Sequence, residues 1–366
     1  MRLAVVIPCL NEARTIAAVI AEAKAGLAAC GAALEASEVV VADNGSTDGS
    51  QALAAAAGAR VVPVPVRGYG AALHWGIAHA DADFVIFGDA DMSYDFTLVP
   101  RFVEASRERP YDLILGTRLG GEIQPGAMPF LNRHLGTPVL NLVIRLCFGF
   151  RTTDCNSGMR LVRRDFYRSL NMRCPGMEWA SELLIKTAVR AGRYREVPIR
   201  LRPDQRGRPP HMRRWRDGWR HLKSIAMLAP NRVLLVPAAL LAAGSAFAWS
   251  DRPVLAATGV TFAYLIALMG LGIKLLLHLD GVRPSKVVEA MVRLRMAETG
   301  VVVALLLLGG AAALFAGATS LPWGESAAAL LATAGGATLL EVLFLETVRT
   351  HLVSDLEAAW AGGDRA

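Results

Sequence analysis

Hydrophobic residues are patterned differently in the two parts of this chain of 366 residues. In the first part, short aliphatic runs alternate with turn residues and with segments of helical periodicity. From Val233 onward, long apolar blocks are interrupted only by short polar connectors. Because the chain also exceeds the usual size of one domain, about 100 to 200 residues, the pattern predicts an α/β domain followed by an all-α membrane domain.

The apolar runs of the first part predict buried strands, each followed by a polar loop. Strands are predicted at 2–7, 38–42, 60–66 and 84–87, and helices at 11–24, 51–57 and 71–79. Continuous apolar runs are typical of strands that are covered on both faces, and their alternation with helices predicts an open, mostly parallel sheet. Ligands of such sheets bind beyond the carboxyl ends of the strands.

A pair of aspartates, Asp89 and Asp91, follows the last of these strands with only Ala90 between them. Carboxylate oxygens suit Mg²⁺ or Mn²⁺, and a bend at this point would direct both carboxylates toward one cation that bridges a diphosphate. The D-x-D pattern also occurs in solvated turns, so it is the position after a buried strand that favours a metal site.

Two more polar loops follow predicted strands. The loop 43–49 contains Asp43, which could accept a hydrogen bond from a base or ribose hydroxyl. The alternative is an Asx turn in which Asp48 or a neighbour caps the next helix. The run 67–70 contains two glycines, as phosphate-binding loops do, but it lacks the lysine of a Walker motif.

The formal net charge of +7 is concentrated between Arg193 and Lys223, immediately before the first apolar block. This placement favours a lipid headgroup surface over nucleic acid, and it predicts an interfacial amphipathic segment at 211–230. The five cysteines show no C-x-x-C spacing, so neither a disulfide framework nor a zinc site is predicted. We expect residues 1–210 to form a cytosolic domain.

The apolar blocks predict four transmembrane helices, since each approaches or exceeds the roughly 20 residues that cross a hydrocarbon core. They are placed at 233–249, 253–279, 301–319 and 327–345, within a membrane domain of residues 231–350 that is followed by a tail at 351–366. The positive-inside rule places both termini in the cytoplasm. The alternative is a set of buried helices in a soluble protein. Lys274 and Glu341 lie inside predicted spans and either snorkel or contact each other.

Four motifs resemble, in order and spacing, those of family 2 glycosyltransferases with the GT-A fold, a Rossmann-like α/β fold. The most similar subgroup is that of the dolichol-phosphate mannosyltransferase-like polyprenyl-phosphate glycosyltransferases. The motifs are Ile7-Pro8-Cys9-Leu10-Asn11-Glu12, the run 43–49, Arg67-Gly68-Tyr69-Gly70-Ala71 and Asp89-Ala90-Asp91. The resemblance extends to about Lys223.

The resemblance implies roles for individual residues. At the nucleotide-sugar donor it places Pro8, Asn11, Glu12, Asp43, Gly68, Asp89 and Ala90, with Asp89 and Asp91 holding the metal. Arg118 and Arg133 are expected to receive the acceptor phosphate, the alternative for each being an ordinary surface cation. Asp154 is expected near the reacting centre, either as a base or as a group that orients a sugar hydroxyl. Glu182 is either a site residue, part of a solvated helix face or the partner of Lys186 in an ion pair.

The function implied by the resemblance is inverting transfer of a sugar from a UDP- or GDP-linked donor to a polyprenyl (undecaprenyl or dolichyl) phosphate at the cytoplasmic face of the cell membrane. Two departures from the family pattern bear on this. Ser93 stands where the mannosyltransferases have a metal-supporting glutamine, and His211-Met212-Arg213-Arg214-Trp215 is similar to the Q-x-x-R-W motif of processive synthases. The alternatives are therefore a processive polysaccharide synthase and a non-catalytic nucleotide-sugar-sensing membrane protein. A homo-oligomer is left open.

Overall fold

The computed structural model describes residues 1–207, 225–247 and 253–279, together with positions 218, 221–222, 285–287, 289, 334 and 338. The chain divides into two compact units, Met1–Ile225 and Ala226–Ala366. The predicted spans at 301–319 and 327–345, Glu341 and the His211–Trp215 motif lie outside the described residues, apart from the single positions just named.

The first unit is built on a seven-stranded sheet with the order β3-β2-β1-β4-β6-β5-β7. The strands are β1 Arg2–Cys9, β2 Ala36–Asp43, β3 Arg60–Pro63, β4 Phe84–Phe87, β5 Leu113–Ile123, β6 Arg160–Arg163 and β7 Tyr194–Leu201. Only β6 runs antiparallel to its two neighbours, and the other neighbouring pairs are parallel. The predicted α/β unit with a mostly parallel sheet is confirmed.

Helices cover both faces of the sheet. They are α1 Ile16–Ala29, α2 Ser50–Ala56, α3 Tyr69–His79, α4 Val99–Glu108, α5 Thr137–Phe148, α6 Arg164–Ser169 and α7 Trp179–Val189, with short 3-10 turns at Gly31–Ala33 and Phe96–Leu98 and a π-helical turn at Asn132–Gly136. Along β1, Val5 belongs to the core that includes α1, whereas Val6 packs against Gly76 of α3. Burial on both sides explains the continuous apolar run of this strand.

Two elements of the first unit differ most from their predicted bounds. The helix expected at 11–24 begins at Ile16, because Asn11 adopts a left-handed backbone with φ of 58° and the turn after it carries the chain into the helix. The strand expected at 60–66 ends at Pro63. Pro63 and Pro65 have no N–H group to donate to a neighbouring strand, which accounts for the early end.

The described part of the second unit contains a π-helical turn at Asn231–Leu235, α8 at Val236–Phe247 and α9 at Pro253–Leu279. The bounds of α9 are those predicted. Among the described residues one stretch, Thr258–His278, is long and apolar enough to cross a membrane, with a mean hydropathy of 2.1, and Asn231–Phe247 is apolar but shorter. The four-helix membrane domain stays a prediction.

Candidate active site

The carboxyl ends of three neighbouring strands bring the predicted donor residues to one edge of the sheet. Cys9 at the end of β1 pairs in register with Asp43 at the end of β2, and β4 runs parallel to β1 on its other side. Pro8 lies in β1 opposite Ala42. The loops that follow β1, β2 and β4 therefore meet at this edge, as the sequence predicted.

The loop after β1 is fastened to the loop after β2 by hydrogen bonds. The Asn11 amide donates to Ser46 Oγ at 2.8 Å, and Asn11 Oδ1 accepts from the Thr47 amide at 2.7 Å. The Glu12 amide donates to Ser50 Oγ at 2.8 Å. Asparagine tolerates the left-handed conformation that these contacts require. Asn11 and Glu12 are thus held against the loop that contains Asp43.

The Asp43 carboxylate is buried and bonded within its own loop. Oδ2 accepts from the amides of Gly45 and Ser46 at 3.0 and 3.1 Å and from Gln51 Nε2 at 2.6 Å. Asp48 accepts from the Ser50 amide at 3.0 Å in the same manner. The Asx-turn alternative is therefore present at both aspartates, and Asp43 shapes the loop from inside it.

Gly68 immediately precedes α3 and has a φ of 145°, and its amide donates to Asn44 Oδ1 at 2.8 Å. A Cβ at this position would overlap the carbonyl oxygen of Pro175. Glycine is therefore required here by close packing of two loops. The next residue, Tyr69, is partly buried and its hydroxyl donates to Asp89 Oδ1 at 3.0 Å, so the 67–70 run contacts the predicted metal motif directly.

The two aspartates of the D-x-D motif are held by different partners. Ser93 donates to Asp91 Oδ1 from its amide at 3.0 Å and from its hydroxyl at 2.5 Å. Burial, and next the negative charge of Asp91, raise the pKa of Asp89 to about 6. Ala90 between them is buried. The motif is a concentrated, partly buried negative charge that a cation would stabilise.

A cation from a distant part of the chain lies at this motif. The Arg206 guanidinium pairs with Asp91 Oδ2 and lies 3.5 Å from Glu12 Oε1. It is carried by residues 202–207, which we call the 202–207 strap. The strap follows β7 and is tied to the D-x-D loop by the bonds Arg202 N to Ser93 O, 2.9 Å, and Gln205 N to Asp91 O, 3.0 Å.

The residues of this edge fit a divalent metal that is shared with a diphosphate. Among the residues that the structure describes, no group of three or more His, Cys, Asp or Glu side chains could hold a metal unaided. Mg²⁺ is often bound by one or two carboxylates together with substrate phosphate oxygens, which matches the pair Asp89 and Asp91. The guanidinium of Arg206 shows that positive charge is accommodated beside them.

The predicted acceptor residue Arg118 forms an ion pair with Asp154. Nε and Nη2 each donate to one carboxylate oxygen at 2.7 Å, and the Arg118 amide donates to Oδ2 at 2.9 Å. Both oxygens of the buried Asp154 are engaged by Arg118. The loop that carries Asp154 is fixed by Glu196, whose Oε1 accepts from the Thr153 amide at 2.7 Å. Asp154 therefore positions Arg118.

The loop of Asp154 also contacts the metal motif. The Gly158 amide donates to Tyr94 Oη at 2.6 Å, and a Cβ at Gly158 would lie 3.2 Å from Asp89 Oδ2. Arg160 is fully buried and donates to the carbonyl oxygens of Cys155, Ser157 and Ala180. These hydrogen bonds from Arg160 to carbonyl oxygens fix the loop. The structure thus places the loop that carries Asp154 beside Asp89.

Arg133 is not part of this network. It is exposed in the π-helical turn Asn132–Gly136, which directly precedes α5. Glu182 and Lys186 form an ion pair of 2.6 Å in which both side chains are only 3% exposed, so the ion-pair alternative is confirmed. Glu182 also accepts from the Cys174 amide at 2.9 Å.

Sequence reasoning missed three residues of the site. Arg206 was counted with the basic residues that face lipid headgroups, and its charge alone carried no signal that it pairs with Asp91. Tyr69 belongs to a motif that the sequence singled out, but only for its glycines. Tyr94 follows the D-x-D loop and carries a hydroxyl that contacts Gly158. For each tyrosine, the signal available in the sequence was its position in or next to a recognised motif.

Comparison with known proteins identifies the family. The model of the family described as glycosyl transferase family 2 matches residues 4–170. An uncharacterized glycosyltransferase of Mycobacterium tuberculosis is 33% identical over 207 residues, which cover 56% of this chain and 87% of that protein. The chain therefore belongs to glycosyl transferase family 2, and it is a glycosyltransferase. Its family and its mixed α/β sheet agree with the expected GT-A fold.

Two relatives come from Haloferax volcanii. The low-salt glycan biosynthesis hexosyltransferase Agl6 is 36% identical over 235 residues, 64% of this chain but only 55% of the relative. A dolichyl-phosphate hexose transferase is 30% identical over 208 residues, 55% of this chain and 82% of the relative. Among solved structures, glucosyl-3-phosphoglycerate synthase from M. tuberculosis with Mn²⁺, UDP and glucosyl-3-phosphoglycerate is 26% identical, covers 62% of this chain and 79% of its own, and has a TM-score of 0.49.

Proposed function

We propose that this glycosyltransferase moves a sugar from a UDP- or GDP-linked donor to a polyprenyl phosphate, with inversion at the anomeric carbon. The observation that carries the proposal is the arrangement around Asp89. Arg206 links Asp91 of the carboxylate pair to Glu12 of the loop after β1. The loop that carries Asp154, the partner of Arg118, approaches Asp89 at Gly158. A donor diphosphate and an acceptor anion each have a matching partner there.

On the donor side, the loops after β1 and β2 would enclose the nucleoside, with Pro8, Asn11, Glu12 and Asp43 around it. Asp89 and Asp91 would hold Mg²⁺ or Mn²⁺, which when bound neutralises the charge that develops on the departing diphosphate. Arg206 faces the same position, and its guanidinium would exchange Asp91 for the diphosphate oxygens once the donor is bound. Gly68 and Tyr69 would keep Asp89 in place through the hydrogen bond from the Tyr69 hydroxyl to Asp89 Oδ1.

On the acceptor side, Arg118 offers the edge of its guanidinium that Asp154 does not use. An arginine held at two points by a carboxylate presents its remaining N–H groups in a fixed direction, which suits capture of a phosphate. Arg133 would approach the same phosphate from the turn before α5. The relative named dolichyl-phosphate hexose transferase supports a lipid phosphate as the acceptor.

The reaction would be a direct displacement. An acceptor phosphate oxygen forms a bond to the anomeric carbon while the bond from that carbon to the diphosphate breaks, and the nucleoside diphosphate leaves. A phosphate is already ionised at neutral pH, so no protein base is required. This agrees with the engagement of both Asp154 oxygens by Arg118. Placement and charge compensation would supply the catalysis.

Three parts of the chain would have separate roles. Residues 1–210 would form the catalytic domain at the cytoplasmic face, 211–230 would lie in the interface, and 231–350 would span the membrane. The apolar helix Thr258–His278 supports attachment to a membrane. The lipid acceptor would then reach Arg118 from the bilayer.

The test is incubation of the purified full chain with polyprenyl phosphate, Mg²⁺ and a panel of UDP- and GDP-sugars, followed by mass spectrometry of the lipid fraction. We expect the polyprenyl phosphate to gain the mass of one sugar with one of the donors. A polymer that grows without a singly glycosylated lipid would instead indicate a processive synthase. The absence of any lipid-linked sugar across the panel would contradict the proposal.

A further inference from the structure

An apolar surface is exposed along the segment 130–148 of the first unit. It consists of Phe130, Leu131, Leu135, Val139, Leu142 and Leu146, which we call the α5 face. Each of these side chains is between 46% and 73% exposed. Single exposed hydrophobic residues are ordinary on protein surfaces, but six large ones within the continuous helical segment 130–148, which contains the π-helical turn and α5, are of the kind that marks an interaction site.

The patch lies on one side of a helix that is already packed on its other side. Positions 131, 135, 139, 142 and 146 follow one another at intervals of three or four residues, so they share one side of a helix. On the opposite side Thr137 and Ile144 are buried. Asn141 donates to the Thr153 carbonyl at 2.7 Å and accepts from the Cys155 amide at 3.0 Å. The helix is therefore fixed by its inner side, and its apolar outer side is available.

The charged residues within the segment that carries the α5 face are all basic. No aspartate or glutamate occurs between Glu122 and Asp154. Arg133, Arg145 and Arg151 are exposed in the same stretch, and His134 accompanies them. A helix with an apolar face and basic residues along its own segment is complementary to an anionic lipid surface, where the apolar residues enter the headgroup layer and the arginines meet lipid phosphates.

We infer that the α5 face docks into the headgroup layer of an anionic lipid bilayer. A second copy of the chain would set the same arginines against one another, because a self-complementary contact brings like positions together. Like charges in close contact oppose such an association. A bilayer that contains anionic lipids meets both the apolar residues and the positive charge.

Docking of the α5 face has a consequence for the active site. Asn141 joins α5 to the two residues that flank Asp154, so a helix seated in the headgroup layer holds the Arg118–Asp154 pair near lipid phosphates. This consequence rests on the proposed lipid acceptor. The docking itself does not, and the experiment separates the two.

The experiment measures the depth of a fluorescent label in lipid vesicles. The full chain, with Cys30, Cys147 and Cys174 replaced by serine, receives one new cysteine by Leu142→Cys, or by Leu135→Cys as a second position. The matched control is Leu53→Cys on α2, whose side chain is 42% exposed. Each is labelled with an environment-sensitive fluorophore and reconstituted without nucleotide-sugar into vesicles of phosphatidylcholine with phosphatidylglycerol.

We expect labels at 142 and 135 to be quenched by brominated lipid chains and shielded from aqueous iodide, and the label at 53 to show the reverse. Iodide access at 142 and 135 equal to that at 53 would overturn the inference. Shielding that persists in detergent and increases with protein concentration would also overturn it, because it would indicate a second copy. Transfer activity measured in parallel distinguishes failure of docking from failure of the proposed reaction.

Charge gives a second readout on the same labelled protein. Arg145→Glu should lower the ratio of docked to undocked label at 142, read from the lipid quenching in vesicles with phosphatidylglycerol, by at least about fivefold, since one basic residue contributes roughly that factor to the docking equilibrium at an anionic surface. In vesicles of phosphatidylcholine alone the same variant should differ little from its parent. Equal quenching of variant and parent on the anionic vesicles would contradict the assigned lipid.

Discussion

Arg118 and Asp154 form an ion pair held at two points, with Nε–Oδ2 and Nη2–Oδ1 distances of 2.7 Å each. Burial of Asp154 makes this pair a fixed part of the site, because a carboxylate removed from water requires its cation. The carboxylate expected near the reacting centre therefore acts through the arginine. Arg118 in turn presents the cation that the proposed acceptor requires.

Breaking this pair should reduce activity and stability together. We expect Asp154→Ala to lower kcat/KM for the lipid acceptor by about 10²-fold, since misplaced groups cost rates of that order. It should also lower the free energy of unfolding by about 3 kcal/mol, because Arg118 is left buried without its partner. Steady-state kinetics and denaturant unfolding measure the two effects. Asp112→Ala is the matched control: it breaks the pair with Arg163 beside the other end of β5 and should leave kcat/KM unchanged.

The ion pair between Glu182 and Lys186 should be a determinant of stability. Glu182→Ala leaves Lys186 buried without its carboxylate and removes the acceptor of the Cys174 amide. We expect the free energy of unfolding to fall by about 3 to 5 kcal/mol. Glu178→Ala, one turn earlier, should change it by only about 0.5 kcal/mol. A similar loss in both variants, measured by denaturant unfolding, would contradict a specific role for the pair.

Arg206 should compete with a metal for Asp91. Removal of this guanidinium by Arg206→Ala should increase the affinity of the nucleotide-free protein for Mn²⁺ by about tenfold, the effect of roughly 1.4 kcal/mol. Titration with detection of free Mn²⁺ by electron paramagnetic resonance measures this directly. The control is Arg202→Ala on the same strap, whose side chain pairs with Asp95 and Glu22 and should not affect Mn²⁺. Unchanged or weaker binding in Arg206→Ala would exclude the competition.

Burial raises the pKa of the Cys9 thiol to about 11. In the unfolded chain the thiol ionises near its ordinary pKa of about 9, so only the unfolded state gains from ionisation between these values. The free energy of unfolding should therefore fall as pH rises from about 9 to about 11, and Cys9→Ala should reduce that fall. Thermal unfolding across this pH range measures it. Equal pH dependence in both proteins would contradict the assignment.

The fold followed from local patterns where those patterns were strong. The β-branched run of β1 and the apolar run of β4 predicted buried strands, because continuous apolar runs are typical of strands that helices cover on both faces. β6 carried no such signal, since only two of the four residues in Arg160–Arg163 are apolar. Its antiparallel direction is decided by pairing with β4 and β5, which no local window contains.

The same difference between local patterns and contacts of distant residues decides which parts of the site the sequence predicts. Asp89 and Asp91 were predicted because the pair and its strand are adjacent in sequence. The contact of Arg206 with Asp91 joins residues 115 positions apart, and it forms because the strap after β7 returns alongside the D-x-D loop. The position of Arg118 was predicted, but its partner was not, since Asp154 lies 36 residues away in a separate loop.

The most direct test of the account compares Asp91→Ala with the wild type in synthesis of the lipid-linked sugar. The account predicts a singly glycosylated polyprenyl phosphate from the wild type and a rate lower by about 10³-fold in the variant, with both proteins folded as judged by thermal unfolding. EDTA should have the same effect on the wild type, and Asp81→Ala, exposed on the surface, should have none. Undiminished synthesis by Asp91→Ala, or by the wild type in EDTA, would contradict it.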